Sequence, residues 1–114
     1  MVRQALEVKN DLKKNKKIDI EIISTIYANT FDYRWYRNII NKNKSPIFIL
    51  ENHFTFNGFF SFICQNFIKN KIGVNRSIYN FGFKNIPACG TNKEVLAYHN
   101  LDVNSIYKKI LSKL

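Results

Sequence analysis

The sequence contains little cysteine, glycine or proline, and it has no long apolar run. Its two cysteines, Cys64 and Cys89, are far apart and outside any metal-ligand spacing. The four glycines and two prolines exclude collagen-like and low-complexity chains. No apolar stretch approaches the roughly 18 residues of a membrane span. We therefore predict one globular domain over residues 1–114, with two reduced thiols, no metal site and no membrane partner.

Acidic residues are also scarce. The chain has 8 Asp and Glu and 18 Lys and Arg, which gives a net charge of +10. A basic balance is typical of proteins that bind nucleic acid or anionic surfaces. Here the lysines are spread over helix-like segments and form no known nucleic-acid motif. A small basic nucleic-acid-binding module is therefore the alternative function, not the first one. The charged opening residues lack the apolar core of a signal peptide, so we expect a cytoplasmic protein.

Apolar spacing predicts five helices and three strands. Asp32, the pair Thr91 and Glu94, and Asp102 are expected to cap the second, fourth and fifth helices. Trp35 is expected on the buried side of the second helix. The predicted helices cover 1–15, 30–43, 58–71, 92–99 and the residues after Asp102, and the predicted strands cover 18–24, 47–51 and 77–83.

Strands that alternate with helices predict βαβ units and a mostly parallel sheet with helices on both faces. The run "IFILE" (47–51) is apolar throughout, which is typical of a strand buried on both sides. Residues 18–24 instead alternate isoleucine with charged residues, which predicts a strand with one face less buried. The fold class is therefore α/β, with three α/β/α layers around a small sheet.

The most chemically suggestive residues follow the apolar run directly. Glu51 and His53 come at its end, and Asn57-Gly58 comes shortly after. A carboxylate beside an imidazole suits either acid–base chemistry or a polar turn between a strand and a helix, and the spacing alone fits both. A nucleotide-binding α/β domain is disfavoured, because no G-x-G-x-x-G or P-loop is present.

The order of these features resembles the C-terminal domain of transketolase-like thiamine diphosphate enzymes. This family includes transketolase, deoxyxylulose-phosphate synthase and the β subunits of 2-oxoacid dehydrogenase decarboxylase components. The resemblance covers nearly the whole chain. It is carried by "MVRQALEVKNDL" (1–12), "IDIEIIS" (18–24), "NTFD" (29–32), "IFILENH" (47–53), "NGFFS" (57–61) and "FGFKNIPACGTNKEVLAYHNLDVNSIYKKI" (81–110).

The resemblance implies that this domain helps to form a dimer, whereas thiamine diphosphate and Mg²⁺ are held by the other two domains of the enzyme. It implies that Glu51, His53 and Gly58 are turn or interface residues. On this reading the chain carries no catalytic, cofactor-binding or metal-binding residue and is inactive alone. Its expected partners are the cofactor-binding domains and a second copy. The complete enzyme would transfer two-carbon ketol units between sugar phosphates.

The chain departs from the family pattern at two places. Phe59 and Phe60 replace small or aliphatic residues, and the family's opening strand is missing before the first helix. In the family, that strand lies between the strands that correspond to 18–24 and 47–51. We therefore expect either that these two strands close up and pair, or that another chain supplies the strand, since unpaired buried peptide groups are costly.

Overall fold

The computed structural model of the chain describes residues 1–26 and 28–114. It confirms the predicted α/β class, with two strands and five helices in the described residues. No helix in those residues is long and apolar enough to cross a membrane. The elements, in chain order, are α1 (Val2–Lys16), α2 (Tyr33–Ile40), β1 (Ile47–Phe54), α3 (Phe59–Lys69), β2 (Ile78–Phe83), α4 (Asn92–Tyr98) and α5 (Val103–Leu111).

Three of the helices begin at the side chains that the sequence predicted as caps. The Asp32 carboxylate accepts from the backbone N–H groups of Arg34 and Trp35 at the start of α2. Thr91 and Glu94 form a reciprocal capping box at α4, and Asp102 accepts from Ser105 N–H at α5. These bonds satisfy donors that a helix leaves free in its first turn, so each helix start is fixed by local sequence.

The sheet consists of β1 and β2, which run parallel and are joined by α3. Ile47 lies opposite Ile78, and Leu50 lies opposite Phe81. A parallel pair needs such a crossover, because the chain must return to the same end of the sheet. This β1–α3–β2 unit is the mostly parallel arrangement that the alternating pattern predicted.

Two apolar clusters cover the two faces of the sheet, which gives the three expected layers. One cluster joins α1, β2, α4 and α5 around the fully buried Val8, Leu12 and Ile106. The other joins α2, β1 and α3 around Ile49 and Phe67. The helices are thus divided between the two faces, as the predicted α/β/α order requires.

The predicted strand at 18–24 is wrong, because these residues form no ladder with any described residue. Ile18, Ile20 and Ile22 are nevertheless half-buried, while Asp19 and Glu21 are exposed. The predicted alternation between buried and exposed side chains is therefore confirmed. A strand also needs a neighbouring strand that forms hydrogen bonds with its peptide groups. The expected closing-up of 18–24 against β1 is wrong as well.

A large cavity, called the slot here, separates residues 18–25 from β1. It has a volume of about 1030 Å³, and its two long sides are lined by residues 18–25 and 45–53. The ends of α1 and α5 also reach it.

The prediction for the buried side of α2 is wrong at one residue, Trp35. Trp35 is 42% exposed, whereas the next residue, Tyr36, is buried and stacks on Phe31 with ring centroids 4.5 Å apart. Tyr36 and Ile40 are four residues apart and share one helix face, so they bury together against Phe67. The helix also ends at Ile40, before the predicted residue 43.

Candidate functional site: the bulged end of the first strand

The polar residues that follow the apolar run lie in a β-bulge. Between Leu50 and Phe54 the first strand advances four residues, whereas its partners Phe81 and Phe83 are two residues apart. The strand pair closes again beyond the bulge, where Thr55 N–H donates to Phe83 O at 2.9 Å. Such a bulge bends the strand and redirects its side chains. Glu51 and His53 therefore do not follow simple alternation.

Glu51 points inward from the bulge and is only 5% exposed. Its Oε2 atom accepts from the backbone N–H of Phe60, in the first turn of α3, at 3.4 Å. A carboxylate suits this position, because the start of a helix carries partial positive charge. The other oxygen, Oε1, is buried and has no hydrogen-bond partner among the described residues. Glu51 thus caps α3 from the strand and keeps one free acceptor.

Two glycines provide the space for this carboxylate. A Cβ atom on Gly58 would overlap both the Glu51 carboxylate and the Phe54 carbonyl oxygen. A Cβ atom on Gly82, opposite the bulge in β2, would lie 2.8 Å from His53 O and 2.9 Å from Glu51 Cγ. Both glycines are therefore required by close packing. The sequence singled out Gly58, but it gave no signal for Gly82, whose neighbour is set by strand pairing.

His53 lies apart from the Glu51 carboxylate, exposed at the end of the sheet. Its ring packs edge-on against Phe54, Phe54 packs against Phe83, and Phe83 lies 4.6 Å from the ring of His99. His99 is a residue that the sequence reading missed. Its Nε2 accepts from Ala88 N–H at 3.2 Å, which places the proton of the neutral ring on Nδ1. No described contact joins Glu51 and His53 as an acid–base pair.

A second feature that the sequence reading missed is a basic cleft on the far side of β2. It has a volume of about 410 Å³ and is lined by Lys84, Lys109, Lys113 and the buried amide of Asn80, among others. Lys109 lies over the Phe81 ring and Lys113 over the Tyr79 ring. Burial, followed by the charge of Lys84, lowers the pKa of Lys109, against a smaller opposite effect of Asp102. Two separate segments supply these lysines, Lys84 just after β2 and Lys109 with Lys113 at the end of α5, so no local charge run revealed them.

The described residues contain no group of three or more His, Cys, Asp or Glu side chains that could hold a metal ion. The cysteines are free: Cys89 is exposed, and Cys64 is half-buried, which raises the pKa of its thiol. The bulge can therefore position a helix and present one buried acceptor. It offers no assembled set of catalytic groups.

Comparison with protein families gives one match to nearly the whole chain. The family described as "Transketolase, C-terminal domain" matches residues 1–106. The match includes α1 to α4, both strands, the bulge and the start of α5. No curated protein and no solved structure matches the chain.

Proposed function

Because the chain belongs to the transketolase C-terminal domain family, we propose that it is the C-terminal, interface-forming part of a transketolase-like enzyme. The complete enzyme would transfer a two-carbon ketol unit between sugar phosphates. The observation that carries this proposal is the match over residues 1–106, which leaves 8 residues of the chain outside the family. The match supports the family, and the transfer of a two-carbon ketol unit is our proposal.

The residues present do not fit thiamine diphosphate or its Mg²⁺. Mg²⁺ is held by oxygen ligands that converge on one point, and the described residues contain no such cluster of acids. The buried carboxylate of Glu51 is engaged at the start of α3. We place no step of the reaction on this chain and assign the cofactor to partner domains.

The proposed role of this chain is to complete a larger assembly in the cytoplasm. The bulge puts His53 and Phe54 on the surface at the carboxyl end of β1, where Phe54 is 40% exposed. An exposed aromatic with a polar neighbour is the composition that protein interfaces favour. Glu51 and Gly58 would act behind this surface by holding the turn. A second copy and the cofactor-binding domains are the proposed partners.

Reconstitution tests this role. The chain would be mixed with the two cofactor-binding domains of a transketolase-like enzyme from the same genome, with thiamine diphosphate and Mg²⁺ present. We expect co-elution, and ketol transfer that requires both components. Calorimetry of the chain alone is expected to show no thiamine diphosphate binding. Micromolar, Mg²⁺-dependent binding to the isolated chain, or full activity of the partner domains without it, would contradict the proposal.

The basic cleft supports a second candidate, binding of nucleic acid. Lys84, Lys109 and Lys113 converge beside Tyr79, and lysines with aromatic rings are the groups that hold single strands. Binding through phosphates falls steeply with salt. The measurement is retention on immobilised single-stranded DNA across a salt series, with Lys109→Gln and Lys113→Gln compared with Lys42→Gln outside the cleft. Equal retention of all three variants would exclude the cleft as the site.

A further inference from the structure

The edge of β2 that faces away from β1 has no neighbouring strand among the described residues. Ile47 N–H donates to Ser77 O, so the odd-numbered residues from Ser77 onward direct their peptide groups toward β1. In a parallel ladder, successive residues direct these groups to opposite sides. The peptide groups of Ile78 and Asn80 therefore point outward, where no backbone hydrogen bond of the described residues engages them.

The basic cleft runs along this outer edge. Tyr79, Asn80, Phe81 and Gly82 all line it, although neighbouring side chains of a strand point to opposite faces. A cavity in contact with four successive residues of a strand therefore lies beside its backbone. Gly82 is buried at one end of the edge, whereas Tyr79 and Asn80 are only half-buried. The backbone around Asn80 is thus the part of the edge that is open to a partner.

Two lysines lie over this edge at a spacing that matches a strand. Lys109 lies 5.6 Å from the centre of the Phe81 ring, and Lys113 lies 5.5 Å from the centre of the Tyr79 ring. Tyr79 and Phe81 pack against the same cluster on one face of β2. They are two residues apart, so their Cα atoms are separated by about 6.6 Å. A strand added beside β2 would present its side chains on that face at the same interval.

The cleft carries positive charge without an acidic counterpart. The described residues that line it include no Asp or Glu. No ion pair of the described residues includes Lys84, Lys109 or Lys113. The one described hydrogen bond from these lysines joins Lys109 to Asn100 O, at 3.4 Å. Because the whole chain also carries a net charge of +10, an acidic partner is favoured both locally and by long-range attraction.

From these observations we infer that the outer edge of β2 binds an extended acidic segment of a different protein. The segment would add a strand beside Ile78 and Asn80, and its main-chain bonds would supply affinity. Asp or Glu at alternate positions would lie opposite Lys109 and Lys113, since opposite charges on adjacent strands stabilise their pairing. The inference stands on the cleft alone and does not depend on the proposed ketol transfer.

A peptide fits the edge better than other anions do. The outward peptide groups of Ile78 and Asn80 include both N–H donors and carbonyl acceptors, and a peptide backbone carries both kinds of group. A free phosphate accepts hydrogen bonds and leaves the carbonyl oxygens without a donor. The same holds for the phosphates of nucleic acid, the second candidate for this cleft. The mixed edge therefore favours polypeptide, and the lysines favour an acidic one.

A second copy of this chain is a poor occupant. Asp19 and Glu21 are the only two acidic residues in the sequence that are two positions apart. Asp19 already pairs with Lys9 at 3.4 Å and with Lys13 at 3.2 Å. Two copies would also bring together charges of +10 each. The partner is therefore an acidic chain of different sequence.

The test uses the 114-residue chain and a synthetic peptide of about six residues in which glutamate alternates with valine. We expect its binding to slow amide hydrogen exchange of Ile78 and Asn80 at least about tenfold. Tyr79 and Phe81 are internal controls, because their N–H groups already face β1. A peptide in which all the glutamates precede the valines keeps the charge but loses the alternation. It should bind at least about fivefold more weakly.

Matched variants locate the binding site. Lys109→Gln and Lys113→Gln should each weaken binding of the alternating peptide about two- to fivefold. Lys108→Gln removes the same charge from an exposed position of α5 that does not line the cleft, so it should leave the affinity nearly unchanged. Fluorescence anisotropy of a labelled peptide at fixed salt measures all three. Equal weakening by all three would reduce the effect to net charge and overturn the inference.

The remaining outcomes also decide. Equal affinity for the two peptides, or unchanged exchange at Ile78 and Asn80 with peptide in excess, would show that no strand is added. Tighter binding of single-stranded oligothymidine, lost in the same variants, would assign the cleft to nucleic acid. Protection of both amides in the free chain, together with a dimeric mass, would assign the edge to a second copy. Oligomers of the Gln variants, without peptide binding by the wild type, would show that the lysines only prevent self-association.

Discussion

The strand β1 and residues 18–24 both contain closely spaced isoleucines but have different structures. This isoleucine pattern predicts a strand in each of the two segments. Ile47–Phe54 became a strand because β2 lies beside it in parallel register, whereas 18–24 lie across the slot from β1 with no ladder. The comparison teaches that β-propensity prepares a segment for a sheet, and that a neighbour at hydrogen-bonding distance completes it.

The most severe test of this difference removes the same side chain from each region. Ile49→Ala empties a buried position in the cluster under β1, and we expect it to reduce the free energy of unfolding by about 2–4 kcal/mol. Ile23→Ala acts on a residue that is already 36% exposed and should cost less than about 1 kcal/mol. Urea unfolding of both variants measures the pair. Equal losses would show that 18–26 is packed as tightly as the strand.

Adding atoms at the paired strand and in the wall of the slot should give the same ranking, with the larger loss of stability again at the strand. Gly58→Ala places a methyl group against the Glu51 carboxylate and Phe54 O, so we expect a loss of about 1–3 kcal/mol. Ala5→Leu adds a larger group in the wall of the slot, where there is space, and should leave stability unchanged or raise it. Thermal unfolding compares the two. A stable Gly58→Ala would contradict the close packing at the bulge.

The exposed end of the paired strand should affect assembly more than folding. His53→Ala removes a surface ring whose described contacts are Phe54 and a 3.4 Å approach to its carbonyl oxygen. We expect a stability change within about 0.5 kcal/mol and weaker association with the cofactor-binding domains. Turnover of the assembled enzyme should be retained. A loss of turnover by orders of magnitude, with fold and assembly intact, would give His53 a catalytic role instead.

The smallest expected effect concerns a local interaction that is independent of the slot. Two hydrogen bonds lower the pKa of Glu94. The bond from the Thr91 hydroxyl has the larger effect, and the bond from the Thr91 N–H has the smaller one. The folded state therefore binds fewer protons than the unfolded state, so the stabilisation exists above the ordinary glutamate range and is lost as pH falls through the lowered pKa. Unfolding between about pH 6 and pH 3 should show this slope.

Two variants identify the origin of that slope. Glu94→Gln removes the titrating carboxyl and should abolish this part of the loss of stability on acidification, whereas Thr91→Val removes the hydroxyl but keeps the Thr91 N–H and should reduce the loss by less. A wild-type slope that persists in Glu94→Gln would assign the pH dependence to other carboxylates.

Local patterns in the sequence determined most of the secondary structure. Asp32, Thr91 and Asp102 cap the predicted helices, because each bond joins groups within three residues. The apolar run of β1 and the alternating helices gave the α/β class and a parallel pair. The family was also readable from the order of short motifs, and the match to residues 1–106 confirms it.

Contacts between residues distant in sequence were decided only by the tertiary structure. The bulge that turns Glu51 inward depends on the register with β2, so neither the role of Gly82 nor the separation of Glu51 from His53 could be read from their spacing. The basic cleft likewise joins lysines from two distant segments. Most of all, residues 18–24 have the composition of a strand without being one. Composition sets what a segment buries, but a ladder requires a second chain segment about 4.8 Å away, and the fold leaves the slot there instead.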